Sequence, residues 1–138
     1  MSMVSLDSTN IGRVLARPGL LLVEWWAKWC SPYQVFGSLE SWVGRSEGLT
    51  LARVDVDAQP ELAGVMGVQV MPTLMLFRDG FLLLNHVGSL PEPVLEDLLR
   101  QARALDMEEV RRRRGTPHLG RARVRVGPLR EVSPGPRG

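Results

Sequence analysis

The chain has 138 residues, 44% of them hydrophobic and 23% charged, which suits one folded domain with a true core. It contains no apolar run near the ~18 residues of a membrane span. Nor does a basic start lead into a long apolar stretch, so a cytoplasmic protein without membrane attachment is expected. The net charge of +2 conceals an asymmetry. Residues 1–110 carry 8 Lys+Arg against 14 Asp+Glu, a balance of −6. Residues 111–138 carry 9 Arg against Glu131 alone, a balance of +8. An acidic body thus bears a basic extension, and the two need separate readings. The single cysteine, Cys30, excludes a disulfide framework and a cysteine zinc site.

In chain order, Met3–Leu6 suggests a short first strand, and Asp7, Ser8 and Thr9 offer helix caps. Ile11, Val14 and Leu15 share a helical face that Pro18-Gly19 closes. Leu20–Trp26 is almost continuously apolar, the pattern of a parallel strand covered on both faces, with Glu24 interrupting it. Val35, Phe36, Leu39, Trp42 and Val43 fall at helical spacing. Leu51–Val56 predicts a strand, and Pro60-Glu61 opens a short helix. Strand Leu74–Phe77 follows, and Asp79-Gly80 is a two-residue hairpin signal leading into Phe81–Val87. Ser89-Leu90-Pro91-Glu92 has the form of a capping box. Val94, Leu95, Leu98, Leu99, Ala102 and Leu105 line one face of a last helix. The expected order is β-α-β-α-β-α-β-β-α, an α/β sheet covered on both faces with an antiparallel edge.

Chemistry points to Cys30. It sits at a strand-to-helix turn, where such sheets place their functional residues. The unpaired N–H groups of a helix N-terminus favour the thiolate, the reactive form of cysteine. A buried cysteine acting as a small hydrophobe is the plainer reading.

The segment Trp26-Ala27-Lys28-Trp29-Cys30-Ser31-Pro32-Tyr33 resembles the active-site segment of the thioredoxin family, Trp-Ala-x-Trp-Cys-Gly-Pro-Cys. With Val54-Asp55-Val56-Asp57, Met71-Pro72-Thr73 and Phe77-Arg78-Asp79-Gly80, the resemblance spans residues 3 to about 106. It implies a thioredoxin fold, a central mixed sheet flanked by helices on both faces. A thioredoxin-like domain at 1–106 and a flexible Arg/Gly/Pro-rich extension at 107–138 are therefore expected. The resolving cysteine of the family is replaced by Tyr33, so an internal disulfide cannot form.

The implied function is thiol–disulfide exchange through Cys30 alone, on protein disulfides or glutathionylated thiols. An external thiol such as glutathione would release the adduct. The alternative is a redox-inactive module that binds peptides in the family's groove, its basic extension recruiting a partner or polyanion. A Cys30-linked homodimer is a third outcome. By resemblance, Glu24 stands where the family keeps a buried acid that handles protons. Its other reading is a structural acid paired with Lys28 or hydrated; either way burial should raise its pKa. Arg53 stands where a lysine near that acid is usual. Trp29, Pro32, Tyr33, Met71, Pro72 and Gly88 would form the substrate groove, with Met71 pairing to an extended substrate before a cis Pro72. Tyr33 either donates its hydroxyl to Cys30 or, as a bulky ring, packs on the first helical turn; packing is favoured.

His86 and His118 are isolated, so no metal is expected. No phosphate-binding glycine loop or Ser/His/Asp set is present, and no cofactor is assigned. The arginines of the extension lack interleaved aromatics, so nucleic acid is not an expected partner.

Overall fold

The computed structural model describes the backbone of residues 3–30 and 33–115, and their side chains except those of residues 30 and 33–38. Five strands form one mixed sheet: β1 (Met3–Ser5), β2 (Leu20–Trp26), β3 (Leu49–Asp55), β4 (Thr73–Arg78) and β5 (Phe81–Val87). Their order across the sheet is β1-β3-β2-β4-β5. Strands β1, β3 and β2 run parallel, and β4 and β5 complete the sheet antiparallel. The helices are α1 (Ile11–Leu15), α2 (Tyr33–Gly44), α3 (Pro60–Met66), α4 (Glu92–Ala104) and α5 (Met107–Arg114).

The apolar run of β2 is buried on both faces, as its composition requires. Leu20 and Leu22 join a core with Leu39 and Trp42 of α2 and with Leu95 and Leu98 of α4. Leu21, Val23 and Trp25 join a second core with Val14 of α1 and Met66 of α3. Trp25 is fully buried, and its indole N–H has no hydrogen-bond partner among the described residues. Asp79 and Gly80 both take positive φ, 52° and 87°, as a tight hairpin demands. A bulge opposite Leu76/Phe77 gives β5 an extra residue, so Leu83 and Leu84 both enter the first core.

Two capping expectations are corrected. Helix α1 starts after Asn10, which makes no side-chain cap. Asp7 instead closes the preceding turn, its Oδ1 accepting from the N–H groups of Thr9 (2.9 Å) and Asn10 (3.2 Å). Ser89 does not cap α4. Pro91 is extended, its carbonyl accepts from Val94 and Leu95, and the helix begins at Glu92. The fixed φ of Pro91 puts the N-cap at Pro91 and the first helical residue at Glu92, three residues beyond the serine.

The expected domain boundary after residue 106 is also corrected. Residues 107–114 form α5, which packs on the first core through buried Met107 and Val110. Asp106 caps it, Oδ1 accepting from Glu108 N–H at 3.0 Å and Glu109 N–H at 3.4 Å. Acids in its first turn and arginines in its last complement the helix dipole. Arg111 pairs with Glu108, and Arg112 and Arg113 pair with Glu109. Arg114 Nη1 donates to the Leu82 carbonyl at 2.9 Å, clamping the helix to β5. The rest of the extension, from residue 116 onward, lies outside the described residues.

Burial of two such side chains contributes about 3 kcal/mol. A chain ending at residue 106 should therefore lose about that much stability relative to one ending at 115. Urea unfolding of the two checks this; coincident midpoints would contradict the docking of α5.

Candidate functional site

The strand register gathers the site at one end of the sheet. Trp26 pairs with Asp55, Trp25 with Thr73, and Thr73 with Val87. From that end β2 passes through a 3-10 turn, Lys28–Cys30, to the start of α2 at Tyr33. Cys30 therefore stands between the end of a buried strand and a helix N-terminus. Its side chain and that of Tyr33 lie outside the described set, and so does Pro32 altogether.

Trp29 is 64% exposed, and its indole N–H donates to Asp57 Oδ1 at 3.2 Å. Asp57 is presented by a loop closed on Asp55, whose Oδ1 accepts from the Asp57 N–H at 3.0 Å. Opposite lies the loop before β4, where the Met71–Pro72 peptide bond is cis. Thr73 Oγ1 donates to the Val70 carbonyl at 2.5 Å, fixing the turn. The Gly88 N–H donates to the Pro72 carbonyl at 2.8 Å, joining β5 to the same loop. Gly88 has φ +104°, which L side chains rarely adopt. Val70 and Val87 are exposed apolar side chains on this end, and Met71 and Pro72 are half-buried. The structure thus brings Trp29, Met71, Pro72 and Gly88 to the end from which the Cys30 turn departs. Asp57, which orients Trp29 from the loop after β3, is an additional candidate residue; the Val54-Asp55-Val56-Asp57 run is the sequence signal for it.

Glu24 lies two residues inside the end of β2, on the face covered by α2. It is fully buried, and its partner is Arg53, not Lys28. The parallel register sets Glu24 directly opposite Arg53 on β3, with Arg53 Nε 2.8 Å from Glu24 Oε1. Arg53 Nη1 also donates to Glu40 Oε2 of α2 at 3.3 Å. The other oxygen of Glu24, Oε2, has no partner among the described residues. Loss of hydration raises the Glu24 pKa above its ordinary 4.5, the Arg53 hydrogen bond and charge pull it down, and the Glu40 charge pushes it up. Among the described residues, no three His, Cys, Asp or Glu side chains cluster to hold a metal. No described helix is long and apolar enough to cross a membrane.

The raised value sets the sign of a pH dependence. The folded state binds the Glu24 proton more tightly than the unfolded state does. Its contribution to stability is full below 4.5 and is lost as pH rises through the raised folded value. Denaturant unfolding across pH should therefore show the Glu24→Gln variant gaining on the unaltered chain as pH climbs from 4.5. A constant difference would contradict the raised value.

The geometry agrees with comparisons to known proteins. The family model described as Thioredoxin matches residues 2–101. A Streptomyces coelicolor protein named "Putative thioredoxin 2" is 38% identical over 112 residues, covering 80% of this chain and 84% of that relative. Thioredoxin of Listeria monocytogenes is 33% identical over 85 residues, 60% of this chain and 82% of its own. A mutant thioredoxin from Halobacterium salinarum has a similar solved structure, with a TM-score of 0.67 and 28% identity over 76% of this chain and 94% of that one. The five-stranded mixed sheet with its flanking helices is a thioredoxin fold, and the chain belongs to the thioredoxin family.

Proposed function

We propose that this chain is a thiol–disulfide oxidoreductase that works through Cys30 as its sole thiol. Members of the family act on protein thiols and disulfides, and membership supports a thioredoxin-like redox function. The observation that carries the finer reading is the position of Cys30. It closes the turn between β2 and α2, on the sheet end that also holds Trp29, the Met71–Pro72 loop and Gly88.

The thiolate of Cys30 attacks one sulfur of a glutathionylated protein thiol. A Cys30–glutathione disulfide forms, the substrate S–S bond breaks, and the substrate sulfur leaves as a thiolate that takes a proton from solvent. A second glutathione thiolate then attacks the glutathione sulfur of the adduct. Cys30 is released as thiolate and glutathione disulfide departs, so one free glutathione is oxidised, the other half of the disulfide comes from the substrate, and the protein thiol is restored. On a protein disulfide the same first step gives a mixed disulfide that an external thiol must resolve, because Tyr33 supplies no sulfur. The proposal places this exchange in a thiol-rich, cytoplasmic setting. Met71, beside Pro72, offers its backbone to an extended substrate, and exposed Trp29 and Val70 offer apolar contact to its side chains.

The loss of the second cysteine to Tyr33 favours a second reading, a groove that binds extended peptides without exchange. Reduction of insulin by dithiothreitol separates the two. The unaltered chain should accelerate it, and Cys30→Ser should fall to the rate of dithiothreitol alone. Equal rates for both proteins would sink the redox proposal, and peptide capture that survives Cys30→Ala would support the binding groove.

A further inference from the structure

Three charged side chains run from the interior to the surface behind the Cys30 turn. The Glu24 side chain is 0% exposed, that of Arg53 13% and that of Glu40 37%. One guanidinium serves two carboxylates, at 2.8 Å and 3.3 Å. Arginine stays protonated in proteins, so any proton gained by this group goes to a carboxylate. With both acids ionised, the three carry a net charge of −1 partly out of water. A proton on Glu24 leaves Arg53 and Glu40 as a neutral pair, and half-exposed Glu40 keeps much of its hydration. Without Glu40, the same proton would cost Arg53 the charge of both carboxylates it pairs with among the described residues, which is unfavourable for a cation only 13% exposed.

We propose that Glu40 is a positioning residue that acts through Arg53: it holds the guanidinium when Glu24 takes a proton, so the buried carboxyl can change charge beside the Cys30 turn. The open Oε2 of Glu24 is the oxygen free to carry that proton. Neutral Glu24 removes a negative charge from the end of β2 that leads into the Cys30 turn, and less negative charge there favours a thiolate. This consequence rests on the redox reading of Cys30; the coupling of Glu40 to Glu24 does not.

Among the described residues, the neighbouring elements present the following groups. Leu74 of β4 is the apolar neighbour of Glu24 across the sheet, and His86 of β5 follows it on the same face. Met3 Sδ of β1 lies 3.2 Å from Arg53 Nη1. Lys28 and Cys30 lie in the turn after β2, and Tyr33 opens α2. On α4, Glu96 accepts from the Trp42 indole and Glu92 from Arg45.

The test is the titration of Glu24 in the full chain, followed by carbon NMR on protein labelled at the glutamate carboxyls. The Glu24 signal is identified by its absence from Glu24→Gln. Removing the competing charge in Glu40→Gln should move the Glu24 midpoint down by about one pH unit, from the Coulomb energy of a partly buried pair. Glu92→Gln, which removes a carboxylate paired elsewhere, should leave the midpoint in place. A midpoint unmoved or raised in Glu40→Gln, or lowered as much in Glu92→Gln, would overturn the proposal. None of these readings needs Cys30 to react, so failure of exchange at Cys30 is scored separately.

Discussion

The fully buried carboxylate of Glu24 is the constraint around which this end of the molecule is arranged. An ionised acid inside an apolar sheet is tolerated only with a hydrogen-bonded counter-charge, and Arg53 supplies it from the neighbouring strand. That contact needs β2 and β3 in their observed parallel register. Through Glu40 the same guanidinium reaches α2, the helix that begins immediately after the Cys30 turn. Strand pairing, helix placement and the direction in which the turn leaves the sheet therefore meet on one cation. Arginine suits this place better than lysine, since its planar fork can bond two acids at once.

Much of this was legible in the sequence, for identifiable reasons. The near-continuous apolar run of Leu20–Trp26 marks a strand with helices on both faces, and Asp79-Gly80 tolerates the positive φ that the hairpin requires. The residues expected in a groove, Trp29, Met71, Pro72 and Gly88, come from distant parts of the chain, yet the register brings them to one sheet end. The partner of Glu24 was not legible from local sequence. Lys28 is nearer along the chain, but the pairing of β2 with β3 selects a residue 29 positions away. Glu40 carries no sequence mark at all, because a glutamate next to the apolar face of a helix is ordinary. Ser89 shows the reverse failure, a local capping pattern overridden by the rigid backbone of Pro91.

Helix α5 escaped the periodicity reading because it has only two apolar anchors, Met107 and Val110. Its other signals were present: an Asp106 cap, acids in the first turn, arginines in the last, and Glu–Arg pairs at helical spacing. Its arginines thus serve the helix and its docking onto β5 as well as the basic charge of the extension.

With Tyr33 where the family keeps its second cysteine, the thioredoxin fold and the loops gathered at the Cys30 end of the sheet are kept, but the chain's one sulfur has no internal partner to release a mixed disulfide. What then decides between exchange and mere binding is the state of the one remaining sulfur. The most direct measurement is the pH dependence of Cys30 alkylation by iodoacetamide in the native protein. The account predicts fast reaction with a midpoint well below the ~8.5 of a free cysteine. A thiol that reacts only after unfolding, or whose midpoint lies at or above that value, would contradict it.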